Sequence, residues 1–203
     1  ISMMKYEIEH EKNFLRTWLK SKLKELNSKD KLEYFEGHII VKFRGDNEEF
    51  VFPSYDIILN LPPFLNNEIV YLDMSYCSLN IFPIILPRNL EYLDCSHNKI
   101  RYIPDYITLS LESLKFFNCS HNDLLILPLL PISIQELYFN NNKIITIPIP
   151  LQICFNLEII HAQNNIIPEG NLNLTNCKKI RFLDISNNNL NFNVFIDEQM
   201  YSN

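Results

Sequence analysis

The stretch Leu90-Glu91-Tyr92-Leu93-Asp94-Cys95-Ser96-His97-Asn98-Lys99-Ile100-Arg101-Tyr102-Ile103-Pro104 decides the architecture. Counted from Leu90, apolar residues fall at positions 1, 4, 6 and 11, Asn at position 9 and Pro at position 15. The same frame restarts at Ile69, Leu114, Ile134, Leu157 and Ile180, in steps of 20 to 24 residues. Position 9 is Cys77, Asn98, Asn122, Asn142, Asn165 and Asn188 in turn. Positions 14 and 15 read Phe82-Pro83, Ile103-Pro104, Leu127-Pro128 and Ile147-Pro148. The fifth copy is shortened to Asn165-Ile166-Ile167-Pro168, and the sixth lacks the Pro. One match would carry little weight; six in order, with Asn in phase, specify a repeat.

Positions 4 and 6 lie two apart, so on a short strand both point to one face, and positions 3, 5 and 7 point to the other. The turn after position 9 leads the chain away, and Pro at position 15 suits an extended return. A single coil cannot bury its own apolar residues, so the coils must stack. The inward Asn residues are expected to donate to backbone carbonyls at the turn, as scaffold and not as a site. Asp105–Ser110 has room for one helical turn, whereas Pro128-Leu129-Leu130-Pro131 excludes a regular helix.

The frame resembles the leucine-rich repeat, L-x-x-L-x-L-x-x-N/C-x-L, with its period of about 20–29 residues. The resemblance implies an α/β repeat solenoid: a curved coil with a parallel β-sheet on its concave side and a mostly extended or 3₁₀ convex side. Leu127-Pro128-Leu129-Leu130-Pro131-Ile132-Ser133-Ile134-Gln135-Glu136-Leu137 looks like the short bacterial repeats of secreted effector ubiquitin ligases, and Phe82–Leu90 matches them more loosely. In that family the repeats recruit substrate and a separate domain carries the catalytic Cys. The resemblance therefore implies at most the recruiting half of such an enzyme. The longer copies leave an ordinary eukaryotic or viral repeat protein open as well.

The 203 residues are 47% hydrophobic, enough for one elongated domain. Only 3 Gly are present and no phosphate-loop pattern occurs. A net charge of −6 argues against duplex nucleic acid as a partner. No apolar run approaches the ~18 residues of a membrane span, and no secretory pattern opens the chain, so a membrane partner is not expected and the expected location is cytoplasmic, or host cytoplasm for a secreted effector. The 5 Cys are expected to be reduced, with Cys95 and Cys119 inward at position 6. The sequons at Asn118 and Asn173 and the Arg44-Gly45-Asp46 tripeptide are read as chance matches.

Three regions are expected. Residues 1–47 form an N-terminal cap, with an amphipathic helix over 11–27 (Phe14, Leu15, Trp18, Leu19, Leu23 and Leu26 on one stripe) followed by a hairpin strand. Residues 48–190 form the solenoid, opening with a degenerate coil over 48–68. Residues 191–203 are a C-terminal cap or the cut end of a longer protein. The hairpin pairs His38–Phe43 with Glu49–Phe52 across Arg44-Gly45-Asp46-Asn47.

Function belongs to the residues the frame does not dictate. Column 3 of the concave face is Tyr71, Tyr92, Phe116, Glu136, Ile159 and Phe182; column 5 is Asp73, Asp94, Asn118, Tyr138, His161 and Asp184. Three successive aromatics in a solvent-facing column make an apolar strip of the kind that marks interfaces. The expected site is a protein-binding face of Tyr71, Asp73, Tyr92, Asp94, Phe116, Asn118, Tyr138, His161 and Phe182, with Asp73 and Asp94 favouring a basic or hydroxyl-bearing partner group. No catalytic residue, cofactor or metal is expected. His97 and His121 lack a third converging ligand and read as turn residues. The expectation is a non-enzymatic scaffold for a protein ligand. The alternatives are the recognition half of an effector ubiquitin ligase, or a membrane-surface scaffold using the 11–27 helix.

Overall fold

The computed structural model describes Thr17 and residues 39–43, 49–52, 68–148, 151, 153–168, 171–189 and 193–195. Strands form where the frame places them. After β1 (Ile39–Phe43) and β2 (Glu49–Phe52) come β3 (Ile69–Asp73), β4 (Tyr92–Asp94), β5 (Phe116–Asn118), β6 (Glu136–Tyr138), β7 (Ile159–His161), β8 (Asn171–Asn173), β9 (Phe182–Asp184) and β10 (Asn193–Phe195). A single turn of helix, α1 (Asp105–Ser110), lies in the second return segment. The main sheet has eight strands in the order β2-β1-β3-β4-β5-β6-β7-β9, parallel from β3 onward. Pairing joins like positions: Tyr71 faces Tyr92, Leu72 faces Leu93 and Asp73 faces Asp94.

Behind the sheet the apolar positions form one continuous core. Leu72, Leu93, Phe117, Leu137 and Ile160 at position 4 are fully buried, as are Met74, Cys95, Cys119, Phe139 and Ala162 at position 6. Each large side chain so removed from water contributes about 1.5–3 kcal/mol. Stacked coils are thus held chiefly by apolar burial.

The Asn column secures the turns. Asn122 Oδ1 accepts the Ile100 N–H at 3.0 Å, and its Nδ2 donates to the carbonyls of Cys95 (3.0 Å), Cys119 (3.2 Å) and Ser120 (3.2 Å). Asn98, Asn142, Asn165 and Asn188 repeat the pattern, each reaching one coil back. Carbonyl donation follows from the frame. The structure adds that each amide also accepts a backbone N–H of the preceding coil, so the same side chain closes its own turn and joins two coils.

The hairpin of β1 and β2 is present and antiparallel. Its place corrects the expected opening coil. β1 lies between β2 and β3, pairing antiparallel with β3, so β2 does not take the parallel place beside β3 that a coil starting at Glu48 would give it. The reason is the alternation in β1: Val41 buries opposite Leu72, and Lys42 stands on the open face opposite Tyr71. Residues 53–67 lie outside the described residues. So does the predicted 11–27 helix except for Thr17, which is helical.

The return side is largely extended, as expected, with α1 where one helical turn was allowed. In addition, β10 pairs in parallel with β8, at matching places in successive coils. The winding of the convex side therefore continues through Asn193–Phe195, beyond the last strand of the main sheet; residues 196–203 of the expected C-terminal cap lie outside the described residues.

Candidate protein-binding face

The open face of the sheet carries a continuous stack of rings. Tyr71 stacks on Tyr92 at 4.1 Å between centroids, and Tyr92 on Phe116 at 4.2 Å. Phe116 meets Tyr138 at 5.2 Å, tilted by 36°. Tyr138 then stacks on His161 at 4.8 Å, and His161 on Phe182 at 4.6 Å. All six expected rings are thus brought together. The path, however, leaves column 3 after Phe116, runs through column 5 at Tyr138 and His161, and returns to column 3 at Phe182. Glu136 and Ile159 occupy position 3 in those two coils, so the rings displaced to position 5 bridge the gap.

Stacking changes what the rings offer. Their faces are taken by each other, leaving ring edges toward solvent, and the Tyr138 hydroxyl donates to Glu136 Oε2 at 3.0 Å. The first face is also taken: the Lys42 Nζ lies 4.5 Å from the Tyr71 centroid, a cation over a ring. Phe182 closes the other end and is 44% exposed. Packing of Tyr71 against Tyr92, together with the neighbouring Asp94 carboxylate at Tyr92, pushes both phenols above their ordinary pKa, chiefly by desolvation.

Column 5 has a structural duty that its place on the open face does not suggest. Asp73 Oδ1 accepts the Ser75 N–H at 2.9 Å, Asp94 Oδ1 that of Ser96 at 2.8 Å, Asn118 Oδ1 that of Ser120 at 3.0 Å and Asp184 Oδ1 that of Ser186 at 3.0 Å. These are Asx turns, and the recurrent Asp/Asn-x-Ser spelling was their signal. Asp94 is corrected further. It is 8% exposed, and its Oδ2 accepts a hydrogen bond from Asn118 Nδ2 at 3.0 Å. Desolvation raises its pKa. Asp94 therefore does not face a partner as expected, and Asp73, Glu136 and Asp184 are left as the more accessible carboxylates. The Asn118 amide nitrogen is committed to Asp94.

A second column, at position 8, flanks the rings. Tyr76, His97, His121, Asn141, Asn164 and Asn187 all have φ between 51° and 57°. Left-handed backbone at six non-glycine residues costs energy, least for Asn. Side-chain stacking along the column offsets it. Tyr76 stacks on His97 and His97 on His121, both at 4.1 Å, and the Asn141, Asn164 and Asn187 amides hydrogen-bond in series at 2.9–3.0 Å. His97 and His121 are turn residues, as expected. Among the described residues no group of three or more His, Cys, Asp or Glu side chains is disposed to hold a metal, and no helix is long and apolar enough to cross a membrane. The five cysteines are free thiols.

Parallel register, an Asn-closed turn and a ring-bearing open face define a repeat scaffold. The family described as Leucine Rich Repeat matches residues 89–109, the span of the second copy. Osteomodulin of Bos taurus is 30% identical over 106 residues, covering 50% of this chain and 24% of osteomodulin, so the chain spans about a quarter of that relative. A solved octameric complex of Latrophilin 3, Unc5D and FLRT2 (LRR) contains a chain that aligns with a TM-score of 0.46 at 20% identity, over 63% of this chain and 49% of that one. The chain thus carries a leucine-rich repeat over residues 89–109, and its other coils follow the same frame.

Proposed function

We propose that the protein is a non-enzymatic interaction scaffold that binds a protein ligand on its concave face. The observation that carries this reading is the unbroken ring stack from Tyr71 to Phe182 across six strands. A solvent-facing sheet does not need six rings in line to fold, and aromatic side chains are the commonest anchors of protein interfaces. Asp73, Glu136 and Asp184 beside the stack favour basic or hydroxyl-bearing groups on the ligand. Ring edges offer apolar contact, and the carboxylates beside them offer hydrogen bonds.

The test is affinity capture with the wild type against two variants. Tyr92→Ala with Phe116→Ala breaks the stack at its centre and costs about 1.5–4.5 kcal/mol of stability through three lost ring contacts. Phe182→Asp alters the exposed end with little effect on folding. Binding of the captured ligand is expected to fall at least tenfold in both, and to be kept by a variant of the opposite flank, Tyr102→Asp. Undiminished binding by both concave variants overturns the reading.

A further inference from the structure

The exposed apolar surface of this molecule is mostly not on the concave face. Among the described residues, every exposed large apolar side chain except Tyr76 and Phe182 lies on the flanks and return segments. The most regular group follows the turn, at positions 12 and 13. Position 13 carries Ile81, Tyr102 and Ile126, exposed by 71%, 63% and 53%. Position 12 carries Leu125 and Ile145, also exposed. Successive coils are tied here too: the Ile145 N–H donates to the Leu125 carbonyl at 3.0 Å, and Ile126 bridges to Thr146 in parallel. The strip is therefore a rigid face. The frame does not require it, since positions 11 and 14 on either side already supply the core.

Its charges are ordered. In the second coil Lys99 and Arg101 stand exposed at positions 10 and 12. In the third coil position 10 is Asp123, whose carboxylate the Lys143 ammonium of the fourth coil meets at 2.5 Å while both remain partly open to solvent. Consider a two-fold axis in the plane of this face, parallel to the chain direction within a coil and midway between the second and third coils. It keeps each position and reverses coil order. It sets Lys99 opposite Asp123 of a second copy, twice, and Tyr102 opposite Ile126, twice. Under that one operation the face is complementary at positions 10 and 13, while Arg101 at position 12 falls against Leu125.

We propose that this flank, formed by positions 10 to 13 of the first four coils, is the interface of a homodimer with antiparallel solenoid axes. An isologous contact of this kind closes on itself and does not propagate into a filament. The concave faces of both copies stay open, so the dimer does not compete with the ligand proposed above and does not depend on it.

The experiment is mass determination in solution by light scattering and sedimentation, across a concentration series. The wild type is expected to reach about twice the 24.1 kDa of one chain. Tyr102→Asp is expected to return it to one. Lys99→Glu alone sets a carboxylate against the Asp123 carboxylate of the other copy, and Asp123→Lys alone sets an ammonium against the Lys99 ammonium, so each variant is expected to be monomeric. Mixed together, the two monomeric variants pair every position 99 with an opposite charge at position 123 and are expected to restore the doubled mass. Circular dichroism of each single variant checks that it is folded. A wild type that stays at one mass at its highest soluble concentration overturns the proposal. So does a mixture of the two folded charge variants that fails to reassociate.

Discussion

At the scale of single residues, the buried Asn column shows where polar groups are decisive. Asn122 is buried and makes four hydrogen bonds to backbone groups of two coils. Asn122→Ala strands those groups away from water, so unfolding in urea is expected to show a loss of about 3 kcal/mol. The frame made this residue legible from its phase alone. Gln163 was not legible in the same way. It stands where four other copies have Ser, and its Oε1 is buried without a hydrogen-bond partner among the described residues. His121 supplies a pH test. Desolvation and the stacked His97 hold its pKa below the ordinary value. The unfolded chain then binds the proton first, so stability falls as pH drops through about 6.5 and levels off below the folded-state pKa. Thermal melts between pH 7.5 and 5 are expected to show this fall, and His121→Asn is expected to reduce it.

At the scale of elements, the strands, their order and their inward faces could be read directly. A period of two within a strand and steps of 20 to 24 residues between strands leave one solution. The hairpin was legible too, but not its place. Glu49–Phe52 satisfies the loose apolar spacing of a coil and the alternation of a hairpin equally well, and only the pairing of β1 with β3 separates them. The helical turn α1 is fixed by the next coil. Asp105 Oδ1 accepts the Leu129 N–H at 2.8 Å, and the Thr108 hydroxyl donates to the Leu129 carbonyl at 2.6 Å. Leu129 sits between two prolines, one place beyond Pro128, where a regular helix cannot satisfy its backbone. Thr108→Val keeps the shape and removes the donor, and is expected to cost about 1–2 kcal/mol in chemical denaturation. Ser110→Ala, whose hydroxyl donates within the same exposed turn, is expected to change stability by less than about 0.5 kcal/mol. The site was legible as a set of residues and not as a path. The expected strip followed column 3, whereas the rings change column because stacking distance, and not position number, selects their neighbours.

At the scale of the molecule, stacking places the thiols in the interior. Burial pushes Cys154 up to about 12 and Cys177 to about 11, and raises Cys95 and Cys119 further from reactivity. Cys77, on the first coil, is pushed up to about 11 by desolvation and then by the Asp73 carboxylate. Thiolates are the nucleophiles, so iodoacetamide at pH 8 is expected to label the folded chain slowly, at Cys77 first, and all five thiols at once on unfolding, as followed by mass spectrometry. Ring spacing has a mechanical consequence. Neighbouring strands run about 4.8 Å apart, yet the first three rings close to 4.1–4.2 Å, while the later ones sit at 4.6–5.2 Å. Rings closer than the strands that bear them shorten the open face relative to the backbone and act as a bending moment on the sheet. The stack is closest over the first three rings and widest at the tilted Phe116–Tyr138 joint, where it changes column.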